Sequence, residues 1–353
     1  MNVEQLRAFA AAVDAGALDA AARRLHITPS AVSQRIRALE AHVGAVLLRR
    51  TSPVAPTEAG QIVLRTARQV LLVQADALAC LAEAGLGGPL ATGSGSGGDG
   101  DGEADGAAGG AVVPVALRLA VNADSLATWL RPLFARAAQW PDALLSLEVV
   151  DQGSSAALLT NGTVMAALSS QPRPPAGCAA VALGRMRYRA VASEALLAER
   201  GIAVPAGDAA SSDGAVQEGS GPGGGLRRAS VSAAQLAALP WVDYGADDDL
   251  QTDLLAARGV TEAPAHHQVP TSEAFALAVR AGLGWGMVPE AQLADAAAGG
   301  ALPQPPAPLI ALAGRGTTAD VPLYLHRWKL ASERLDRVCA AIADLARAGL
   351  RRN

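Results

Sequence analysis

The stretch Ala20-Ala-Ala-Arg-Arg-Leu25-His26-Ile27-Thr28-Pro29-Ser30-Ala31-Val32-Ser33-Gln34-Arg35-Ile36-Arg37 decides the reading of the N-terminal part of the chain. Thr28 can cap a helix, and Pro29 suits its first position, where no N–H is needed. Val32, Ile36 and Leu39 recur at helical spacing and predict a helix from Pro29 to about His42, which Gly44 stops. Upstream, Val3, Leu6, Phe9, Ala10 and Val13 mark one face of a helix over 2–15. A short helix over 18–25 turns Ala21, Ala22 and Leu25 inward. Two short helices joined by a tight turn make a helix-turn-helix. The face opposite Val32, Ile36 and Leu39 offers Ser30, Ser33, Gln34 and Arg37, side chains that can reach base edges in a major groove.

Between Ala20 and Arg50 six arginines (Arg23, Arg24, Arg35, Arg37, Arg49, Arg50) stand against one acid, Glu40, in a chain whose net charge is −4. That local excess suits a phosphate backbone. Arg49-Arg50, followed by Pro53 and Pro56, predicts a stiff wing against phosphate or minor groove. The chain has 353 residues, half of them apolar, enough for two or three domains with real cores. Cys80, Cys178 and Cys339 are odd in number and far apart, which argues against a disulfide framework or a zinc cluster. No secretory signal or membrane-spanning run is visible, so the expected setting is cytoplasmic.

The expected domains are a winged helix-turn-helix over 1–59 and a connecting helix over 58–86. A flexible Gly-rich linker over 87–113 and an α/β body over 114–353 follow, with a Gly/Ser-rich insertion at 208–225. Ile62, Val63, Ala67, Val70, Leu71, Leu78 and Leu81 give the connecting helix an apolar stripe. A small head and a flexible linker cannot cover it, so a partner helix is expected.

The motifs Thr28-Pro-Ser-Ala-Val-Ser-Gln-Arg-Ile36, Leu39-Glu40, Leu47-Leu-Arg-Arg50 and Pro56-Thr-Glu-Ala-Gly60 fall in the order seen in LysR-type transcriptional regulators, whose winged helix-turn-helix the segment resembles. The resemblance implies that the helix beginning at Thr28 and Pro29 is the recognition helix. It implies Ser30, Ser33, Gln34 and Arg37 for bases, and Arg35, Arg49, Arg50 and Thr57 for the DNA backbone. The wing departs from the usual pattern: Ser52-Pro-Val-Ala-Pro56 lacks a central arginine. Dimerisation through the connecting helix is also implied, giving a homodimer or homotetramer on double-stranded promoter DNA, with RNA polymerase as a further partner.

From Ala116 onward the pattern alternates strand and helix and predicts an α/β body with a mostly parallel sheet. Strands are expected over 116–121, 144–150, 164–169, 240–244, 268–269, 284–288 and 323–326, and a single helix over 124–139. Ligands of such sheets sit beyond strand C-termini and at helix N-termini. Four groups occupy such places: Asn122-Ala-Asp124-Ser125 with Thr128; Ser169-Ser170-Gln171; Asp247-Asp248-Asp249; and Thr271-Ser272-Glu273. Each could equally be a set of helix caps.

Leu119-Ala-Val-Asn-Ala-Asp-Ser-Leu-Ala-Thr-Trp-Leu130, Ser272-Glu-Ala-Phe275, Met287-Val-Pro289 and Leu323-Tyr-Leu-His-Arg327 resemble the ArgP/LysG branch of the family. Members of that branch sense basic amino acids and activate a gene for their export. The resemblance implies an α+β multidomain chain with a two-lobed, periplasmic-binding-protein-like effector domain. For lysine or arginine, the α-carboxylate is assigned to N–H groups and hydroxyls around Ser125 and Thr128, assisted by Ser272. Asp124 or Glu273 would hold the α-ammonium, and Asp247 or Asp248 the distal cation. No catalytic constellation, metal site or cofactor site is expected. Adjacent His266 and His267 point to opposite faces of a strand, and no G-x-S-x-G elbow is present. The alternatives are a LysR-type regulator with another effector, an amino-acid-binding protein or enzyme, and a DNA-binding protein without a ligand.

Overall fold

The computed structural model describes residues 1–49, 51–84, 86, 114–150, 155–205, 226–245, 248–260, 265–293 and 308–352. Arg50, Asp247 and the two Gly-rich stretches lie outside the described residues. The chain divides into two compact units. One comprises Met1–Val121, Leu133–Val181 and Leu325–Ile342; the other comprises Asn122–Pro132, Ala182–Tyr324 and Ala343–Asn353.

The first unit opens with α1 (Val3–Ala15), α2 (Leu18–Leu25) and α3 (Pro29–Val43). Asn2 and Gln5 close a capping box on α1, and Gly16 ends it in the left-handed region at φ 66°. Thr28 caps α3 by accepting the Ala31 N–H at 3.2 Å, with Pro29 at the first position. Two short antiparallel strands form the wing, β1 (Leu48–Arg49) and β2 (Ala55–Pro56). The long helix α4 (Glu58–Glu83) begins at its cap Thr57. Leu6, Phe9, Val32, Ile36, Leu39, Leu47, Leu64 and Ala67 share one buried core. Fully burying a side chain such as Phe9 contributes about 1.5–3 kcal/mol.

The stripe of α4 divides between two environments. Leu64, Ala67 and Leu72 are buried in their own chain, while Ile62, Val73 and Leu81 are exposed.

In the same unit β3 (Val115–Val121) pairs in parallel with β4 (Ala143–Val149) and β5 (Ala166–Ser169). A helix, α6 (Leu133–Ala137), precedes β4, and α7 (Ser155–Thr160) precedes β5. Between β3 and α6 lies α5 (Ala123–Ala127), which belongs to the second unit. The single helix expected over 124–139 is therefore two short ones. Thr128 leaves helical geometry at φ −126°, ψ −106°, and Pro132 disfavours helix at the residue before it.

The long strand β6 (Cys178–Ser193) is the largest element that the sequence reading missed. It is followed by α8 (Glu194–Glu199), β7 (Arg228–Ser230), α9 (Ala233–Ala238) and β8 (Trp241–Asp243). Next come α10 (Leu250–Ala257), β9 (His266–Gln268), α11 (Ser272–Arg280), β10 (Gly286–Pro289) and α12 (Glu290–Leu293). The chain closes with β11 (Leu309–Ala313), β12 (Thr318–Trp328) and α13 (Glu333–Gly349). In the second unit β6 pairs antiparallel with β10 and β11, and β11 pairs in parallel with β7. The sheet is therefore mixed rather than mostly parallel. The strands β8 and β9 form a separate parallel pair. The closing strand is longer than the expected 323–326.

The DNA-reading face and an acidic effector pocket

The start of α3 presents the expected polar face. Thr28, Pro29, Ser30, Gln34, Arg37 and Arg49 are exposed, and Ser33 is half-buried at its edge. Gln34, Arg37 and Arg49 make no hydrogen bond or ion pair among the described residues, so their donors are free for an external acceptor. Three of the expected contacts are already engaged inside the head. Arg35 forms an ion pair with Glu4 at 2.9 Å. The Thr28 hydroxyl caps α3 and lies 2.9 Å from the Ser30 hydroxyl. The Thr57 hydroxyl donates to the Val46 carbonyl at 2.7 Å and accepts the Gly60 N–H at 3.0 Å. Thr57 thereby anchors the start of α4, with its hydroxyl hydrogen engaged internally.

In the second unit α5 packs on the start of α11. Asp124 of α5 is half-buried, and it accepts hydrogen bonds from Ser272 Oγ at 2.5 Å and from Tyr188 Oη at 2.7 Å. Gln292 Nε2 donates to Ser272 Oγ at 2.7 Å and so fixes which way that hydroxyl points. Burial pushes the Asp124 carboxyl up, against the pull of its two hydroxyl donors. Asp248 follows the same logic. Burial raises it, the Leu250 N–H and the Gln251 amide lower it, and Asp124 and Asp243 raise it again. Tyr188 is pushed well above its ordinary range by burial and by Asp124.

No arginine or lysine forms an ion pair with Asp124, Asp243 or Asp248 among the described residues. The Asn122 Oδ1, Asp243 Oδ1 and Gln292 Oε1 atoms are buried without a hydrogen-bond partner. Carboxylates held by neutral donors, with no ion-paired cation among the described residues, favour a positively charged, hydrogen-rich guest.

Several expected roles change. Glu273 is exposed and already ion-paired with Arg131 at 2.6 Å, whereas Asp124 has no ion-paired cation among the described residues. The Thr128 hydroxyl donates to the Asp124 carbonyl at 2.5 Å and has no hydrogen left for a carboxylate. Ser272 spends its hydrogen on Asp124 and orients that acid. The Ser125 Oγ accepts the Trp129 indole N–H at 3.0 Å, which leaves the Ser125 hydrogen free to donate. Ser170 and Gln171 belong to the first unit, where the Gln171 N–H bonds to Ser169 Oγ at 3.1 Å. Buried His326 interacts with the Gln171 backbone, and burial lowers its pKa. Tyr188, Asp243 and Gln292 were not found from sequence. Tyr188 carried a usable signal, since Met186, Tyr188 and Ala190 alternate with Arg185, Arg187 and Arg189.

Residues 3–61 match the family model described as the bacterial regulatory helix-turn-helix protein, lysR family. The lysine export transcriptional regulatory protein LysG of Corynebacterium glutamicum is 34% identical over 99% of this chain and 100% of its own length. With this match the fold and the head define the class: the chain belongs to the LysR family of DNA-binding transcriptional regulators. Within that family it is similar to regulators named LysG and ArgP. ArgP of Pseudomonas fluorescens Pf-5 is 34% identical over 97% of this chain and 95% of that protein. The crystal structure of ArgP from Mycobacterium tuberculosis aligns with TM-score 0.70 and 35% identity, covering 99% of this chain and 98% of that one. Full-length LysG from C. glutamicum with bound effector Arg aligns with TM-score 0.64 and 33% identity, covering 99% and 100%. No described helix is long and apolar enough to cross a membrane.

Proposed function

We propose that this chain is a cytoplasmic transcriptional regulator whose grip on promoter DNA is set by lysine or arginine, and that it activates a gene for amino-acid export. The observation that carries the effector assignment is the half-buried acid group Asp124, Asp243 and Asp248, which has no ion-paired cation among the described residues. A basic amino acid brings two positive charges to it. Asp124, held by Ser272 and Tyr188, takes the α-ammonium. Asp248, with Asp243 beside it, takes the distal cation; Asp247 remains an assigned partner. Ser125 and nearby backbone N–H groups take the carboxylate. The LysG structure with bound arginine supports the class of ligand.

Ser30, Ser33, Gln34 and Arg37 read bases, while Arg49 and Arg50 hold phosphate. Two copies joined through the exposed face of α4 would place two heads on half-sites one helical turn apart, or a multiple of it. The effector acts by binding one arrangement of the paired heads better than another, which changes the DNA presented to RNA polymerase. Calorimetry with lysine, arginine and leucine tests the assignment. Binding of the basic pair alone is expected, and equal affinity for leucine overturns the acidic-pocket assignment.

A further inference from the structure

The structure assigns Asp14 and Arg118 a positioning role: together they hold the DNA head on the strand that leads to the effector residues. Asp14 lies near the end of α1, in the head. Its Oδ2 accepts an ion pair from Arg118 of β3 at 2.7 Å, and its Oδ1 pairs with Arg68 of α4. Arg68, 7% exposed, also donates to the Gly162 carbonyl at 2.5 Å. All four residues belong to the first unit. One half-buried carboxylate thus joins the head, the long helix and the strand β3.

Neighbouring contacts hold α4 to the same body. Arg65 donates to the Ala176 carbonyl at 3.1 Å, and Arg334 at the start of α13 pairs with Asp76 of α4. At Gly162 (φ +80°) a Cβ would meet the Arg65 Cα at 2.5 Å, so the turn before β5 can seat against the helix only as glycine. A cavity of about 230 Å³ beside Asp14, Arg68 and Arg118 is lined by Glu148, Asn161 and Thr163 as well as by Val13, Pro56 and Leu64, so the junction mixes charged and apolar walls and is not fully packed. Polar junctions of this kind can rearrange, because they hold by specific pairs rather than by area.

Arg118 stands three residues before the end of β3 at Val121, and Asn122 and Asp124 follow at once. The path from Arg118 to Asn122 is about 13 Å of one chain segment at ~3.3 Å per residue. A shift of β3 would reach Asp14 through the Arg118 ion pair. This assignment rests on the effector reading above.

The test uses the full chain with Cys80 replaced by serine and spin labels at Ala41→Cys in the head and Ala156→Cys in the body. Arg118→Gln is compared with its parent, and Asp14→Asn serves where Arg118→Gln does not fold. Without ligand, and with each doubly labelled copy diluted into excess unlabelled protein, the parent should give one narrow distance distribution and the variant a broad one. With arginine, the promoter Kd of the parent should change by roughly fivefold or more, and that of the folded variant by less than about twofold. Arginine affinity measured by calorimetry should stay within about twofold of the parent, as expected for a distant site. Either an unbroadened distribution or an intact arginine response in the folded variant overturns the assignment. If arginine leaves the parent's promoter Kd unchanged, the effector reading fails, and the ligand-free distances alone decide whether the pair holds the head.

Discussion

Asp14 and Asp124 are both half-buried aspartates, and their surroundings differ in one respect. Asp14 receives two arginines. Asp124 receives two hydroxyls and no cation. A carboxylate with paired guanidinium groups is electrically complete and serves to join elements. A carboxylate with only neutral donors is incomplete, and burial raises its pKa accordingly. The contrast separates an internal joint from a seat for a ligand, although the two residues look alike in sequence.

The sharpest way to break this contrast is to neutralise each acid. Asp124→Asn should weaken arginine binding by about 30-fold or more in calorimetry, the ~2–5 kcal/mol expected when one partner of a desolvated charged pair is truncated. Asp14→Asn should leave arginine affinity within about twofold. Equal losses in both variants would end the distinction.

Neither aspartate should influence base choice, which belongs to α3. Gln34→Ala or Arg37→Ala should reduce operator discrimination over non-specific DNA by about tenfold, within the ~1–3 kcal/mol of a base contact. Arg49→Ala should weaken all sequences alike and lower the salt slope by about 1. Competition mobility shifts at several salt concentrations separate these outcomes.

Protonation gives a third test, with opposite signs in the two kinds of site. The Asp124 pKa is higher in the folded chain than in the unfolded one, so ligand-free stability falls as pH rises from the ordinary aspartate range through the raised value. Arginine should therefore raise the Tm more at neutral pH than at acidic pH, and Asp124→Asn should remove that dependence. Asp320 behaves in the opposite way. Hydrogen bonds from Arg187 hold its carboxyl below the usual range, so the stability it contributes is present near neutrality and lost on acidification. Thermal melts across pH check both signs. The smallest expected effect is that of Tyr188→Phe. It removes one of two donors to Asp124 and should cost arginine binding a few-fold, about 1 kcal/mol.

The head was largely legible because its signals are local. Thr28-Pro29, Gly16 and Gly44 mark helix ends through capping and backbone preference, and Val32, Ile36 and Leu39 give the period of α3. In the effector body, the start of β3 and the groups at Asp124, Asp248 and Ser272 were found at strand and helix ends. Their partners were not, because Tyr188, Asp243 and Gln292 arrive from distant parts of the chain by tertiary packing. Hydroxyl roles were also beyond sequence. Whether Thr57, Thr128 or Ser272 offers its hydrogen outward depends on which internal acceptor it meets.

The central claim is that a positive side chain on an amino acid changes how this protein holds DNA. Footprinting of its own upstream region with arginine, and with citrulline as the uncharged counterpart of arginine, tests it most directly. Arginine should alter the footprint, while citrulline should leave it as in the ligand-free state. An identical change with both amino acids, or no protection of that DNA under any condition, would contradict it.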